Sequence, residues 1–111
     1  MREPTFLILT ALARGPLHGY AVLQEVISLS EGRVRLRPGS LYGTLDRLLE
    51  EGLIESVGEE VVEGRRRQYY VLSEDGAASL SQTAERLVVQ ASEARVRLSA
   101  RLSGPGAMAM S

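Results

Sequence analysis

The chain of 111 residues contains no cysteine, no lysine and no tryptophan, and it has one histidine and one phenylalanine. Without cysteine it cannot form a disulfide framework, a zinc ribbon or a reactive thiol. A single histidine excludes a histidine-rich metal site. Aromatic residues make up 5% of the chain, which is little material for an aromatic ligand box. We find no nucleophile–base pair and no phosphate loop, and we therefore expect neither an enzyme nor a bound cofactor.

Long apolar runs are also missing. None reaches the roughly 18 residues that a membrane span needs. The first residues lack the charged-then-apolar layout of a secretory signal. We therefore expect a cytoplasmic protein without a membrane partner, folded as one small domain with a helical extension.

The charge is nearly balanced, with 13 basic and 14 acidic side chains and a net charge of −1, and this total alone does not favour nucleic-acid binding. Its distribution changes that interpretation. Four arginines and one aspartate give residues 33–47 a local charge of +3, and Arg65, Arg66 and Arg67 add another +3. Between these blocks, Glu50 to Glu63 contains six glutamates and no arginine. The near-neutral total therefore conceals two basic blocks.

The first half of the chain predicts three helices. Pro4 to Arg14 is apolar on most sides and suits a short buried helix, which Gly15-Pro16 ends. The second helix is expected from about His18 to Ser30, ending at Gly32. Its buried positions by the 3.6-residue period are Tyr20, Leu23, and Val26 or Ile27.

Arg33 to Arg37 alternates strictly between polar and apolar residues, as a short strand or an extended link would. Pro38 begins the third helix, which ends at Gly52. Its inner stripe consists of leucines, namely Leu41, Leu45, Leu48 and Leu49. The opposite face is small and polar for half its length, whereas a merely solvated face usually carries Glu and Lys.

The second half predicts a hairpin and one long helix. Leu53 to Val57 and Arg67 to Leu72 are the expected strands, joined by a long, exposed, charged tip. In the second strand Tyr69 and Tyr70 must point to opposite faces, so one of them belongs to the core. Ser73 is suited to cap the last helix, expected from Glu74 to Leu102.

The last helix carries an apolar seam with the alternating spacing of a heptad repeat. Its members are Leu80, Ala84, Leu87, Ala91, Ala94 and Leu98. Such a seam could fill a groove within the chain, but a period of 3.5 residues favours self-association. We therefore predict that these six residues form a dimer interface.

Three helices followed by a two-stranded wing predict a winged helix-turn-helix. The fold class is mainly α with a small β-hairpin and a long C-terminal dimerisation helix. The expected organisation is a DNA-binding domain at residues 1–73, the dimerisation helix at 74–102, and a flexible tail at 103–111. In this fold the third helix enters the major groove and the wing reaches the flanking phosphates.

Four blocks of the sequence resemble the PadR-type transcriptional regulators. They are Pro16-Leu-His-Gly-Tyr20; Gly39 to Leu45 with Arg47-Leu48; Glu51-Gly-Leu-Ile54; and Gly64-Arg-Arg-Arg-Gln-Tyr-Tyr70 followed by Leu72-Ser73 and Gly76. They follow the family's order at about its spacing, over roughly residues 5 to 80. The resemblance implies a homodimeric winged-helix repressor that dimerises through its C-terminal helix.

The resemblance also implies a possible inducer, because some members of the family bind a small molecule near the dimer interface. This chain has Val57-Gly58 where many members carry a tryptophan, and its last helix contains neither Trp nor Phe. Stacking of a flat aromatic ligand is therefore not expected. Two alternatives stay open: a small inducer, mostly apolar or weakly polar, held between the last helices and the first, or a packed seam without a pocket.

Two sets of residues are expected to contact DNA. The base-reading set lies on the outer face of the third helix and consists of Ser40, Gly43, Thr44 and Arg47. The phosphate-binding set consists of His18, Gly19, Tyr42, Arg65, Arg66 and Arg67.

Each of these assignments has a structural alternative. The arginine triplet could be a solvated hairpin tip, and Gly43 could serve close packing against another helix. His18 and Gly19 could simply begin a capped helix, and for Tyr20 we expect a place in the core.

These patterns predict a sequence-specific DNA-binding regulator, a repressor by resemblance, that binds a pseudo-palindromic operator as a homodimer. The partners are then double-stranded DNA and a second copy of the chain. The alternative is a winged-helix module that binds only other proteins, which would not need the arginine triplet.

Overall fold

The computed structural model describes residues 1–102 and contains four helices and three strands within that range. In chain order they are α1 (Glu3–Leu12), β1 (Leu17–His18), α2 (Gly19–Leu29), α3 (Pro38–Glu50), β2 (Ile54–Val62), β3 (Arg65–Leu72) and α4 (Glu74–Leu102). The strands form one antiparallel sheet in the order β1-β3-β2. Three helices followed by a β-hairpin confirm the winged helix-turn-helix, with a long C-terminal helix. The predicted tail at 103–111 lies outside the described residues.

The core lies between the first three helices and the sheet. Its fully buried side chains are Ile8, Leu9, Leu12, Val22, Val26, Leu41, Leu45, Leu48 and Ile54. The leucine stripe predicted for α3 is thus in the core, with Leu49 packed at its margin. Tyr70 is 5% exposed and is the core member of the tyrosine pair.

The buried stripe of α2 differs from the prediction at Tyr20. Its buried residues are Gly19, Val22 and Val26, whereas Tyr20 is 57% exposed. The expected core place for Tyr20 was therefore wrong. Val26 is buried as predicted and Leu23 packs at the margin of the core. The error at Tyr20 arises because the buried residue beside it, Gly19, has no side chain that a hydrophobic pattern could reveal.

The segment Arg33–Arg37 is the extended link and not a strand. Its three arginines are exposed, while Val34 and Leu36 pack against the core, so the alternation in the sequence is real. Just before it, the Ser30 hydroxyl accepts from the N–H of Val34 at 2.9 Å. Gly32, at φ +81°, supplies the left-handed turn that ends α2.

The wing is longer and its tip is shorter than predicted. The ladder runs from Ile54 opposite Leu72 to Val62 opposite Arg65, and only Glu63 and Gly64 turn the chain. Both turn residues have positive φ (51° and 76°), as a tight two-residue hairpin turn requires. The predicted exposure is confirmed, since most residues from Gly58 to Arg66 are exposed. The predicted length of the tip is wrong, because glycine and charge hid a paired strand. The strand β1, which has two residues, was not predicted from the sequence.

The start of α4 is fixed as the sequence predicted. The Ser73 hydroxyl accepts from the N–H of Gly76 at 2.9 Å and donates to the carbonyl of Gly52 at 2.6 Å. A side chain at Gly76 would overlap the carbonyl oxygen of Leu53, so this helix position requires glycine. Leu80 packs against the core.

The chain divides into one compact unit over Met1–Ser81 and a second that begins at Gln82. Within residues 1–102, no helix is both long and apolar enough to cross a membrane.

Candidate nucleic-acid interface

One cleft gathers the predicted phosphate-binding residues. We call it the wing cleft; it has a volume of about 570 Å³ and is lined by His18, Gly19, Tyr20, Tyr42, Arg65, Arg66, Arg67 and Gln68. All six residues of the predicted phosphate set are among them. Tyr20 and Gln68 were not predicted, because one was assigned to the core and the other has no distinctive local pattern. Among the described residues that line the cleft there is no carboxylate.

The three wing arginines differ in their surroundings. Arg66 lies 3.8 Å from a carboxylate oxygen of Glu59, and its side chain is 80% exposed. Arg67 is half-buried, and its Nη1 lies 3.0 Å from Nε2 of His18. Arg65 forms no salt bridge within residues 1–102. Since an exposed pair such as Arg66–Glu59 is worth little, most of the cationic charge of the wing is free to meet an anion.

His18 caps α2 with its ring. Its Nδ1 accepts from the N–H of Ala21 at 3.2 Å, and the ring meets Tyr69 edge-on with 5.5 Å between centroids. Burial lowers the pKa of His18 below its ordinary 6.5, Arg67 lowers it further, and Glu60 opposes this. The capped helix proposed as an alternative is therefore present, while Nε2 still faces the cleft beside Arg67.

Gly19 and Tyr42 are in close contact. A Cβ added at Gly19 would lie 2.5 Å from the hydroxyl oxygen of Tyr42 and 2.7 Å from the nearest carbon of its ring. Only glycine therefore lets the Tyr42 side chain, which is 46% exposed, rest against the start of α2. This contact holds the Tyr42 hydroxyl in the wing cleft.

The predicted base-reading residues lie together on the outer face of α3. Ser40, Gly43 and Arg47 are exposed and Thr44 is half-buried. The Thr44 hydroxyl donates to the carbonyl of Ser40 at 2.9 Å. Within residues 1–102, no heavy atom outside its own helix turn lies within 4 Å of a Cβ built on Gly43. The alternative for Gly43, close packing against another helix, is therefore wrong within this part of the chain.

Arg47 is held in place by two neighbours. Its Nη1 donates to both carboxylate oxygens of Glu51, at 3.1 and 3.4 Å, and its Nη2 donates to the hydroxyl of Thr5 at 3.0 Å. Thr5 is 7% exposed, so α1 fixes one end of this guanidinium. Neither Thr5 nor Glu51 was predicted from the sequence, and only the i, i+4 spacing of Arg47 and Glu51 carried a local signal.

Thr44 and Arg47 face a second cleft, which we call the α1 cleft. It has a volume of about 490 Å³ and is lined by Met1, Arg2, Pro4, Thr5, Leu36, Thr44 and Arg47. The two clefts therefore flank α3, with Tyr42 in one and Thr44 and Arg47 in the other.

The predicted dimer seam divides into two parts. Leu80 packs within its own chain, against the core, and Ala84 is half-buried. The remaining members are exposed, with Leu87 at 43% and Leu98 at 55%. Other large apolar side chains of α4 are exposed as well, including Val89 at 63% and Val96 at 61%. Within residues 82–102, the second unit thus carries several exposed apolar side chains.

Residues 8–82 match the model of the transcriptional regulator PadR-like family. The chain belongs to this family. The match spans α2, α3, the wing and the start of α4, and so includes every residue that lines the wing cleft.

Two regulators of known name are similar in sequence. The chain is 36% identical over 85 residues to the transcriptional regulator YqjI of Escherichia coli, a match that covers 77% of this chain and 39% of that protein. It is 40% identical over 75 residues to the transcriptional regulator Rv3488 of Mycobacterium tuberculosis, covering 68% of this chain and 66% of that one. The chain thus spans less than two thirds of the length of these curated relatives.

The fold also matches solved structures. Bacillus subtilis PadR in complex with operator DNA aligns with a TM-score of 0.67 at 21% identity, over 75% of this chain and 47% of that one. At this identity the likeness establishes a shared winged-helix fold.

Proposed function

We propose that this protein is a sequence-specific DNA-binding transcriptional regulator. The observation that carries the proposal is the convergence of six predicted phosphate-binding residues on the wing cleft, next to the exposed outer face of α3. A winged helix places its recognition helix in the major groove and its wing over the backbone, which suits this arrangement. The wing then supplies affinity and α3 supplies sequence reading.

Family membership and the solved complex support the proposal. The chain belongs to a family of transcriptional regulators, and a protein of the same fold, Bacillus subtilis PadR, has been crystallised with operator DNA. Because the recognition helix of a winged helix enters the major groove, we assign base contacts to Ser40, Gly43, Thr44 and Arg47. A protein with this task works where chromosomal DNA lies, in the cytoplasm.

We propose further that it acts as a homodimer and represses transcription from a pseudo-palindromic operator. The exposed apolar residues of α4 support self-association, because a second copy of the helix would remove them from water. A two-fold dimer presents two copies of α3 to two half-sites, so a palindromic operator follows from the symmetry.

The dimer is tested by light scattering at micromolar concentration, where a mass of about twice 12.1 kDa is expected. Leu87→Asp should divide the dimer, because it would bury an unpaired charge in the seam. Ser92→Asp is the matched control, since Ser92 is an exposed polar residue outside the six seam positions and should tolerate a charge. Wild-type protein that is folded and monomeric would refute the seam.

DNA binding is tested by titrating the protein with DNA from its own upstream region and with random DNA, each at several salt concentrations. We expect tighter binding to the former and a steep loss of affinity for both as salt rises. A folded dimer that binds neither DNA would favour the protein-interaction module.

A further inference from the structure

His18 makes two ring contacts that no neutral imidazole can satisfy together. Its Nδ1 faces the N–H of Ala21, and its Nε2 faces Nη1 of Arg67. Backbone N–H and guanidinium are both donors only, whereas a neutral imidazole has one lone pair and one N–H. While Nδ1 caps α2, Nε2 must carry the hydrogen. The N–H of His18 and an N–H of Arg67 then point at each other across 3.0 Å.

The group that relieves this conflict is an anionic oxygen. Placed at the mouth of the wing cleft, it accepts from Nε2 of His18 and from Arg67 at the same time, and the α2 cap stays intact. Charge-assisted bonds of this kind are the strong ones. Glu60 faces Arg67 in the strand ladder, but its Oε2 accepts from the Tyr69 hydroxyl at 2.9 Å, and within residues 1–102 no hydrogen bond or salt bridge joins it to Arg67 or His18.

Resting on the proposed function, we propose that His18 and Arg67 together hold one DNA backbone phosphate, which accepts a hydrogen bond from each. This assigns the two residues to a single phosphate instead of two separate ones. It also makes His18 a donor toward DNA through Nε2 while Nδ1 remains the helix cap.

If His18 and Arg67 share a phosphate, DNA affinity depends on the protonation of His18. The titratable and charged groups facing His18 come from four elements: Arg67 and Tyr69 on β3, Glu60 on β2, Tyr20 on α2 and Tyr42 on α3. In free protein burial and Arg67 lower the pKa of His18 below 6.5, against Glu60. A bound phosphate adds negative charge beside the ring and raises that pKa. DNA affinity should therefore rise as the pH falls through the pKa that His18 has in the DNA complex. It should level off once the pH is below the pKa that His18 has in free protein.

His18 is the only histidine of the chain, so it can be observed alone. Nitrogen-15 NMR of histidine-labelled protein gives its tautomer and pKa, with and without duplex DNA. In free protein we expect hydrogen on Nε2. With DNA we expect the pKa to rise by about one unit or more, which equals about tenfold in affinity per site for each unit.

A double-mutant cycle on DNA affinity tests the sharing. His18→Asn keeps a capping oxygen near the place of Nδ1 but removes the Nε2 donor, and should weaken binding roughly tenfold. The double variant with His18→Asn and Arg67→Gln should lose less binding free energy than the sum of the two single losses, because both substitutions act on the same phosphate. Arg66→Gln is the control partner; Arg66 pairs with Glu59, and its loss should add to that of His18→Asn.

The outcomes separate the two proposals. DNA binding with an unchanged His18 pKa, or strict additivity of His18→Asn with Arg67→Gln, would overturn the shared phosphate and leave the DNA-binding function standing. A protein that binds no DNA at all would overturn both.

Discussion

The two flanks of α3 use arginine in opposite ways. On the wing side, Arg65 has no ion pair within residues 1–102 and Arg66 has a loose one at 3.8 Å. On the α1 side, the guanidinium of Arg47 donates to Glu51 and to the buried Thr5. A free guanidinium adapts to any phosphate, whereas one held at two ends offers a fixed geometry. Under the proposed function, this difference predicts that the wing supplies DNA affinity and that the ordered face of α3 supplies sequence reading.

The largest expected effect that separates the flanks is that of Arg47→Ala. If Arg47 makes a good base contact, its loss should weaken operator binding by about 1–3 kcal/mol and binding to random DNA much less. The measurement is the affinity for both DNAs at one salt concentration.

Glu51→Gln is the matched variant for Arg47, since it removes the carboxylate and keeps the arginine. It should reduce the difference in affinity between operator and random DNA, because a released Arg47 guanidinium can contact phosphates in any sequence. Equal losses on both DNAs for Arg47→Ala would mean that this face does not read sequence.

Gly43→Ala tests how closely α3 approaches DNA. A Cβ there meets no atom of the described chain outside its own helix turn, and alanine is favoured over glycine inside a helix by up to about 1 kcal/mol. The free energy of unfolding should therefore rise in denaturant titration. Operator affinity should fall, because the added methyl group stands where DNA approaches. A variant that gains stability and keeps full affinity would show that Gly43 is not at the interface.

Gly19→Ala should have the smallest effect. The new Cβ would push the Tyr42 side chain aside, and since that side chain is partly exposed it can move, so the unfolding free energy should change little. If Tyr42 binds a phosphate as proposed, DNA affinity should fall by about 0.5–1.5 kcal/mol, because the displaced hydroxyl would no longer reach that phosphate. In a Tyr42→Ala background the same substitution should have no further effect on affinity. If Gly19→Ala lowers DNA affinity by the same amount in the Tyr42→Ala background, Gly19 does not act through Tyr42.

Most of the fold could be predicted because its signals are local. The leucine spacing of α3, Pro38 at its start and Ser73 before α4 each act within a few residues. The full length of the wing was harder to predict from the sequence. Its strand pairing joins residues across a turn, such as Glu60 and Arg67, and no local sequence pattern marks that pairing. Its extra length was hidden by Gly58, which has a φ of +146° and adjoins the register shift in the ladder.

The site was predicted by residue type but not by contact. Residue types marked ten candidates, and the structure brings the six phosphate candidates together in the wing cleft. The contact of His18 with Arg67 joins residues 49 positions apart, and that of Thr5 with Arg47 joins residues 42 positions apart. Both contacts depend on how separate elements pack together. Tyr20 failed for a related reason, since the buried residue that sets the stripe of α2 is a glycine.

The division of labour between the flanks is tested most directly by the salt dependence of binding. Affinity for operator and for random DNA is measured against salt for wild type, Arg67→Ala and Arg47→Ala. We predict that Arg67→Ala lowers affinity for both DNAs alike. It should also reduce the slope of log affinity against log salt by roughly 0.9 for each phosphate that is no longer neutralised, or about twice that per dimer. Arg47→Ala should keep most of the slope and weaken chiefly operator binding. An unchanged slope and affinity for Arg67→Ala, with the slope reduced by Arg47→Ala, would contradict this division of labour.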